Sequence, residues 1–177
     1  MTSNRAPSTI ILGIDPGLKA TGWGVIASTH AGLQLIAHGA VTTRPDTPFS
    51  ARLHLLHQGL VAVLEEHKPH VAAIEKTFVN ANPTSALKLG MARGVALLAP
   101  AQRYISVFEY SATQVKKTIV GVGHATKDQV ELMVRRLLPE VGMTSKDAAD
   151  ALAIAICHAH HQNPVYERLA MAGGGPF

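Results

Sequence analysis

From Lys146 to Cys157 the chain reads KDAADALAIAIC, and beyond its first two residues the only charged side chain is Asp150. A helix that is apolar on every side has no face to offer water, so the rest of the fold must cover it. Asp150 carries a carboxylate into that covered position, which is costly unless a cation or hydrogen bonds compensate it. Asp147 lies three residues earlier, on the same helical face. A purely structural account puts both acids in the opening turn, capped by Thr144 or Ser145, where they complement the helix dipole. It suits Asp147 well and Asp150, a turn deeper, less well.

Two further acids end apolar runs. TIILGID closes on Asp15 before a Pro16-Gly17 turn, and VAAIE closes on Glu75. Acids at strand ends are often plain turn residues, yet the carboxyl edge of a sheet is also where α/β folds place ligand chemistry. Four carboxylates that converge repel one another and raise their own pKa values. A hard divalent cation relieves that repulsion through oxygen ligands, and two such ions suit phosphodiester hydrolysis. Asp15, Glu75, Asp147 and Asp150 are therefore the candidate metal ligands and catalytic groups.

The elements around them imply an α/β fold. GWGVIAST and LQLIAHGAVT follow the first strand with no helix between, which predicts an antiparallel meander. From Pro48 the apolar spacing becomes helical, through Leu53, Leu56, Leu60, Val63 and Leu64, until Pro69. VAAIE is a fourth strand, Ala81 to Ala99 a helix closed by Pro100, and ISVFEY a fifth strand. Helices are expected over Ser111 to Ile119, Lys127 to Leu138 and Lys146 to about His161, with a break at Gly121-Val122-Gly123. Strands separated by helices add parallel crossovers to the meander, giving a five-stranded mixed sheet flanked by helices. A chain of 177 residues fits one domain, expected over 9–163, with flexible termini at 1–8 and 164–177.

Lys and Arg outnumber Asp and Glu by 16 to 12, a net charge of +4. The excess is compatible with a polyanionic partner, more so if four acids are withdrawn into a site. A single cysteine, Cys157, excludes an intrachain disulfide and a thiolate metal cage, and reads as a small core residue. No apolar run without charges reaches spanning length, so no membrane is expected and a cytoplasmic location is.

Four segments in order, GIDPGLKATGWGV, AIEKTFVNANPTSALKLGMARGV, FEYSATQVKKTIVGVGHATKDQV and KDAADALAIAICH, resemble the RuvC family of Holliday-junction resolvases. The resemblance runs from about Ile10 to His161. It implies a ribonuclease-H-like fold, a homodimer, and magnesium-dependent nicking of opposed strands at a four-way DNA junction. Manganese would substitute, and two ions would serve each site during cleavage. RuvA and RuvB branch-migration proteins are the implied partners. Asp15, Glu75, Asp147 and Asp150 match the family's catalytic acids, and Lys116 and Lys127 its lysines near the scissile phosphate. Phe78, in a polar loop past Glu75, matches an aromatic that stacks on an unpaired base. Arg93, Lys117, Lys88 and Lys76 are further phosphate candidates; for Lys117 and Lys88 a solvated surface charge explains the residue equally well.

Two patterns stay open at this level. Leu87, Gly90, Met91, Gly94, Val95 and Leu98 recur at helical spacing, which fits packing within the chain or a dimer interface. His158, His160 and His161 close a helix, where histidine suits the dipole, and read as structural or exposed. GIDPG alone also occurs in actin-like ATPases, but a second phosphate turn and a longer chain would then be expected. A non-catalytic relative would be expected to lack one of the four acids. An RNA-processing relative of the same fold is the nearest competing substrate class.

Overall fold

The computed structural model describes residues 8–76, 82–142 and 145–162. Its strands are β1 (Thr9–Asp15), β2 (Ala20–Thr29), β3 (Gly32–Thr42), β4 (Val71–Lys76) and β5 (Ser106–Ser111). Its helices are α1 (Phe49–His67), α2 (Pro83–Ala101), α3 (Ala112–Val120), α4 (Lys127–Leu137) and α5 (Lys146–His161). The sheet order is β3-β2-β1-β4-β5, with β1, β2 and β3 antiparallel neighbours and β4 parallel to both β1 and β5. The expected meander with parallel additions is thus present.

Side-chain alternation sorts the strands onto two cores. Leu12 and Ile14 of β1, Val25 of β2 and Ile74 of β4 join Leu60, Val63 and Leu64 of α1 and Ala96 and Ala99 of α2. Ile11, Ile26 and Ala73 point to the other face, against α5 and the α3–α4 pair. By the period of two, Asp15 follows Ile11 and Gly13, and Glu75 follows Ala73, so both acids belong to the α5 face.

Three glycines let α5 approach that face closely. A Cβ on Gly13 would sit 2.0 Å from the Ala151 carbonyl oxygen, and one on Gly22 would sit 2.0 Å from that of Asp147. On Gly24 it would press against the Leu152 side chain at 2.6 Å. The apolar α5 is therefore laid directly on the β1–β2 backbone, and residues from Ala148 to Ala159 other than Asp150 are buried. Gly22→Ala is expected to push the first turn of α5 off the sheet, costing about 1–3 kcal/mol as an overpacked contact. Thermal melts and cleavage assays should then show lost stability together with lost activity; wild-type values for both would refute the contact.

Beyond shifts of a residue or two at their ends, the helices differ from expectation in one feature. Pro100 lies inside α2 instead of ending it. A proline this late forfeits a single N–H, while its carbonyl accepts from Arg103 N–H and Ile105 N–H and closes the helix. The expected start at Ala81 and the aromatic Phe78 lie outside the described residues; Asn82 caps α2 through the Ser85 N–H.

Candidate active site

Asp15 and Glu75 end neighbouring parallel strands, so both stand at the carboxyl edge of the sheet. Asp15 is paired in register with Gly22, against whose Cα the Asp147 backbone rests. Ser145 caps α5 through the Ala148 N–H, setting Asp147 in the first turn and Asp150 one turn on. The structural account of a capped, dipole-complementing turn is thus correct for Asp147, but it does not exhaust Asp150. Lys127, the first residue of α4, donates from Nζ to Asp150 Oδ2 at 2.6 Å.

The electrostatics identify where the acids meet. Burial pushes the Asp15 carboxyl up to about 8, helped by the charge of Glu75, a side-chain hydrogen bond with Glu75 and the charge of Asp150; Lys127 opposes the shift. Lys127 is raised in turn, chiefly by its hydrogen bond to Asp150. Asp15, Glu75, Asp150 and Lys127 therefore form one interacting group, beside which Asp147 is placed by its backbone. A cavity of about 140 Å³ opens there, lined by Glu75, Asp150, Lys116 and Lys127 with apolar residues of α3, α4 and α5.

The donor set fits a hard divalent cation. Its carboxylates offer oxygen ligands only, and Asp15 is held in a proton-binding state first by burial and then by the charges of Glu75 and Asp150. Among the described residues no three acid, imidazole or thiol groups already stand in an ion-enclosing array.

The remaining candidates divide. Lys116 lines the cavity, whereas Lys117, Lys88 and Lys76 are exposed. Arg93 is engaged by the Glu109 carboxylate of β5, so its guanidinium is already committed within the fold. The α2 stripe points outward: Leu87, Met91 and Leu98 are exposed, and α2 instead buries Ala92, Ala96, Ala99 and Pro100. Packing within the chain does not explain it.

The closing histidines are structural, and His158 is fully buried. Its Nδ1 is 2.7 Å from the Tyr110 hydroxyl, and Phe108 packs on its ring. Burial, then His161, lowers its pKa to about 4, so the ring is neutral. Tyr110 is the register partner of Glu75, so this pair backs the strand that carries an acid. Only contact across the fold reveals it, because Tyr110 and His158 are 48 residues apart.

A sequence model for crossover junction endodeoxyribonuclease RuvC matches residues 11–158. The chain belongs to the RuvC family. The RuvC of Bradyrhizobium diazoefficiens is 55% identical over 169 residues, covering 96% of each chain. That of Brucella anthropi is 52% identical over 155 residues, 88% of this chain and 90% of its own. Thermus thermophilus RuvC, solved in complex with a Holliday junction substrate, superposes with a TM-score of 0.80 at 34% identity. That match covers 92% of this chain and 96% of the other. The yeast mitochondrial Holliday junction resolvase shares the fold alone, at a TM-score of 0.63 and 16% identity over 94% of this chain and 89% of its own. The fold is ribonuclease-H-like, as the sequence resemblance implied, and the enzyme class is that of a nuclease.

Proposed function

We propose that the chain resolves four-way DNA junctions in recombination and repair by paired, metal-dependent nicks on opposed strands. The observation that carries this reading is the meeting of Asp15, Glu75 and Asp150 at one sheet edge, with Asp15 pushed up to about 8. Asp15, Glu75, Asp147 and Asp150 hold magnesium, or manganese in its place, with two ions during cleavage. Bound there, the ions supply water activation and charge stabilisation at the leaving oxygen. Lys116 and Lys127, at the cavity, take phosphate oxygens. Lys117 and Lys88 are outlying backbone contacts. Arg93 would contact phosphate only by releasing Glu109. Phe78 stacks on a base opened at the junction centre. In-line attack of water at phosphorus breaks the P–O3′ bond and leaves a 5′-phosphate and a 3′-hydroxyl.

The test is cleavage of a mobile synthetic four-way junction with magnesium, mapping both nicks, beside duplex DNA and structured RNA. Paired symmetric nicks in the junction alone are expected. Preferential cutting of the RNA would transfer the reading to the RNA-processing class.

Paired nicks need two sites related by a two-fold axis, and the exposed stripe of α2 supplies an apolar face for a second copy. Together Leu87 and Met91 line a shallow cavity with Pro83, Ala86 and Gly90. Met91→Lys places a charge on that face and is expected to convert a dimer to monomers in light scattering. A variant that stays dimeric would move the interface elsewhere. One nuclease domain over 9–163, partnership with RuvA and RuvB, and a cytoplasmic location complete the proposal. No helix among the described residues is long and apolar enough to cross a membrane.

A further inference from the structure

The carbonyls of Gly17, Leu18 and Lys19, in the turn directly after Asp15, are all hydrogen-bonded, the first by the adjoining β2 and the other two from distant parts of the chain. The Thr21 hydroxyl donates to the Gly17 carbonyl at 2.8 Å and accepts from the Gly17 N–H at 3.3 Å. Thr43 donates its N–H to the Lys19 carbonyl at 2.9 Å and its hydroxyl to the Leu18 carbonyl. Arg52, in the first turn of α1, donates from Nη2 to the Leu18 carbonyl at 3.2 Å and from Nε to Thr43 Oγ1 at 2.9 Å. Thr21 and Thr43 are the buried threonines of the described residues, 1% and 7% exposed. Gly17 closes the turn tightly, since a Cβ there would lie 2.2 Å from the Ala20 carbonyl oxygen.

Arg52 differs from four other arginines of the described residues in its partners. Arg44, Arg93, Arg103 and Arg135 each meet a carboxylate. Arg52 bonds instead to a carbonyl and a hydroxyl, in a fixed fork that sets their relative position. It comes from the helix on the opposite face of the sheet from α5, so it ties α1 to the lip of the active site.

Asp15 is the last residue of β1, so the turn that begins at Pro16 sets where its carboxyl stands. A turn with its carbonyls anchored from β2, from Thr43 and from α1 holds that strand end in one position. We infer that Arg52, acting through Thr43 and with Thr21, positions Asp15 by fixing the turn behind it, and so serves the chemical step and not junction binding. This rests on the assignment of Asp15 to catalysis.

Single-turnover cleavage, junction affinity and thermal melts of the full chain separate the possibilities. Arg52→Ala is expected to slow cleavage about 10- to 100-fold, as a small misplacement of a catalytic group does. Junction affinity in calcium should be unchanged, and half-saturating magnesium should rise. Arg52→Lys should recover part of the rate, because an ammonium reaches one acceptor without the fork. Thr43→Val, of the same shape, should reproduce the loss, and these two variants keep the test valid if Arg52→Ala melts early. Wild-type rates in folded Arg52→Ala or Thr43→Val would overturn the inference, as would affinity falling in step with rate. Wild-type rates in Asp15→Asn would instead overturn the assignment beneath it.

Discussion

Asp15→Asn is expected to lower magnesium-dependent junction cleavage by at least about 1000-fold while making the metal-free protein more stable at pH 8. The activity loss follows from removing an anionic oxygen ligand at the centre of the carboxylate group, a loss of transition-state stabilisation of about 4 kcal/mol. Junction binding in calcium should persist, since phosphate contacts carry it. The stability gain has a definite sign. Asp15 has a folded pKa of about 8 against an ordinary value of 3.8. The folded protein therefore retains a proton that the unfolded chain releases, and stability falls as pH rises from about 4 to about 8. Asparagine has no such titration. Melts of the two metal-free proteins should coincide near pH 4 and separate by pH 8, with the variant higher by about 2–4 kcal/mol. Parallel melting curves across that range would show that neither burial nor the neighbouring acids raise the Asp15 carboxyl. A cation added to the wild type should close the gap at pH 8 and do little at pH 5, because the ligand must first lose its proton.

That linkage also explains how much was legible in the sequence. Apolar runs with period two and period 3.6 specify where strands and helices lie, because burial imposes those periods wherever one face is covered. The parity of positions then assigns Asp15 and Glu75 to one face, and the polarity of α5 makes it central. The glycines at 13, 22 and 24 are visible as residues, but their meaning is not, since it depends on which helix lies across them. The same limit applies to Arg93, which reads as a free cation until the strand bearing Glu109 is beside it. Tyr110 with His158, Arg52 with Leu18 and Lys127 with Asp150 are contacts across 48, 34 and 23 residues. No local pattern announces such pairs. The outward face of the Leu87–Met91 stripe is equally non-local, because α2 buries its alanines instead.

Lys127 is expected to act in opposite directions on metal binding and on cleavage, and Lys127→Met should expose both. Its ammonium lies 2.6 Å from Asp150 Oδ2, so the carboxylates have one positive charge beside them, delivered by α4. Any divalent ion recruiting Asp150 must displace or share that partner. The ion pair is weakened by solvent, since the lysine side chain is 74% exposed and the aspartate 25%. A partly exposed charged hydrogen bond of this kind contributes about 1 kcal/mol. Removing it should therefore tighten manganese binding to the DNA-free protein about 3- to 10-fold, by the same arithmetic, as read by calorimetry. Cleavage should nevertheless fall, by about 100-fold or more, because the lysine released from Asp150 is a cation lining the cavity and able to meet a phosphate oxygen. The metal-free variant should also lose stability at pH 8, where Asp150 and Asp15 are left facing each other without the ammonium. A variant that binds manganese more weakly would mean that Lys127 orders Asp150 for the ion instead of competing with it. Wild-type cleavage with tighter metal binding would confine the lysine to the charge balance of the carboxylates and take it out of phosphate recognition.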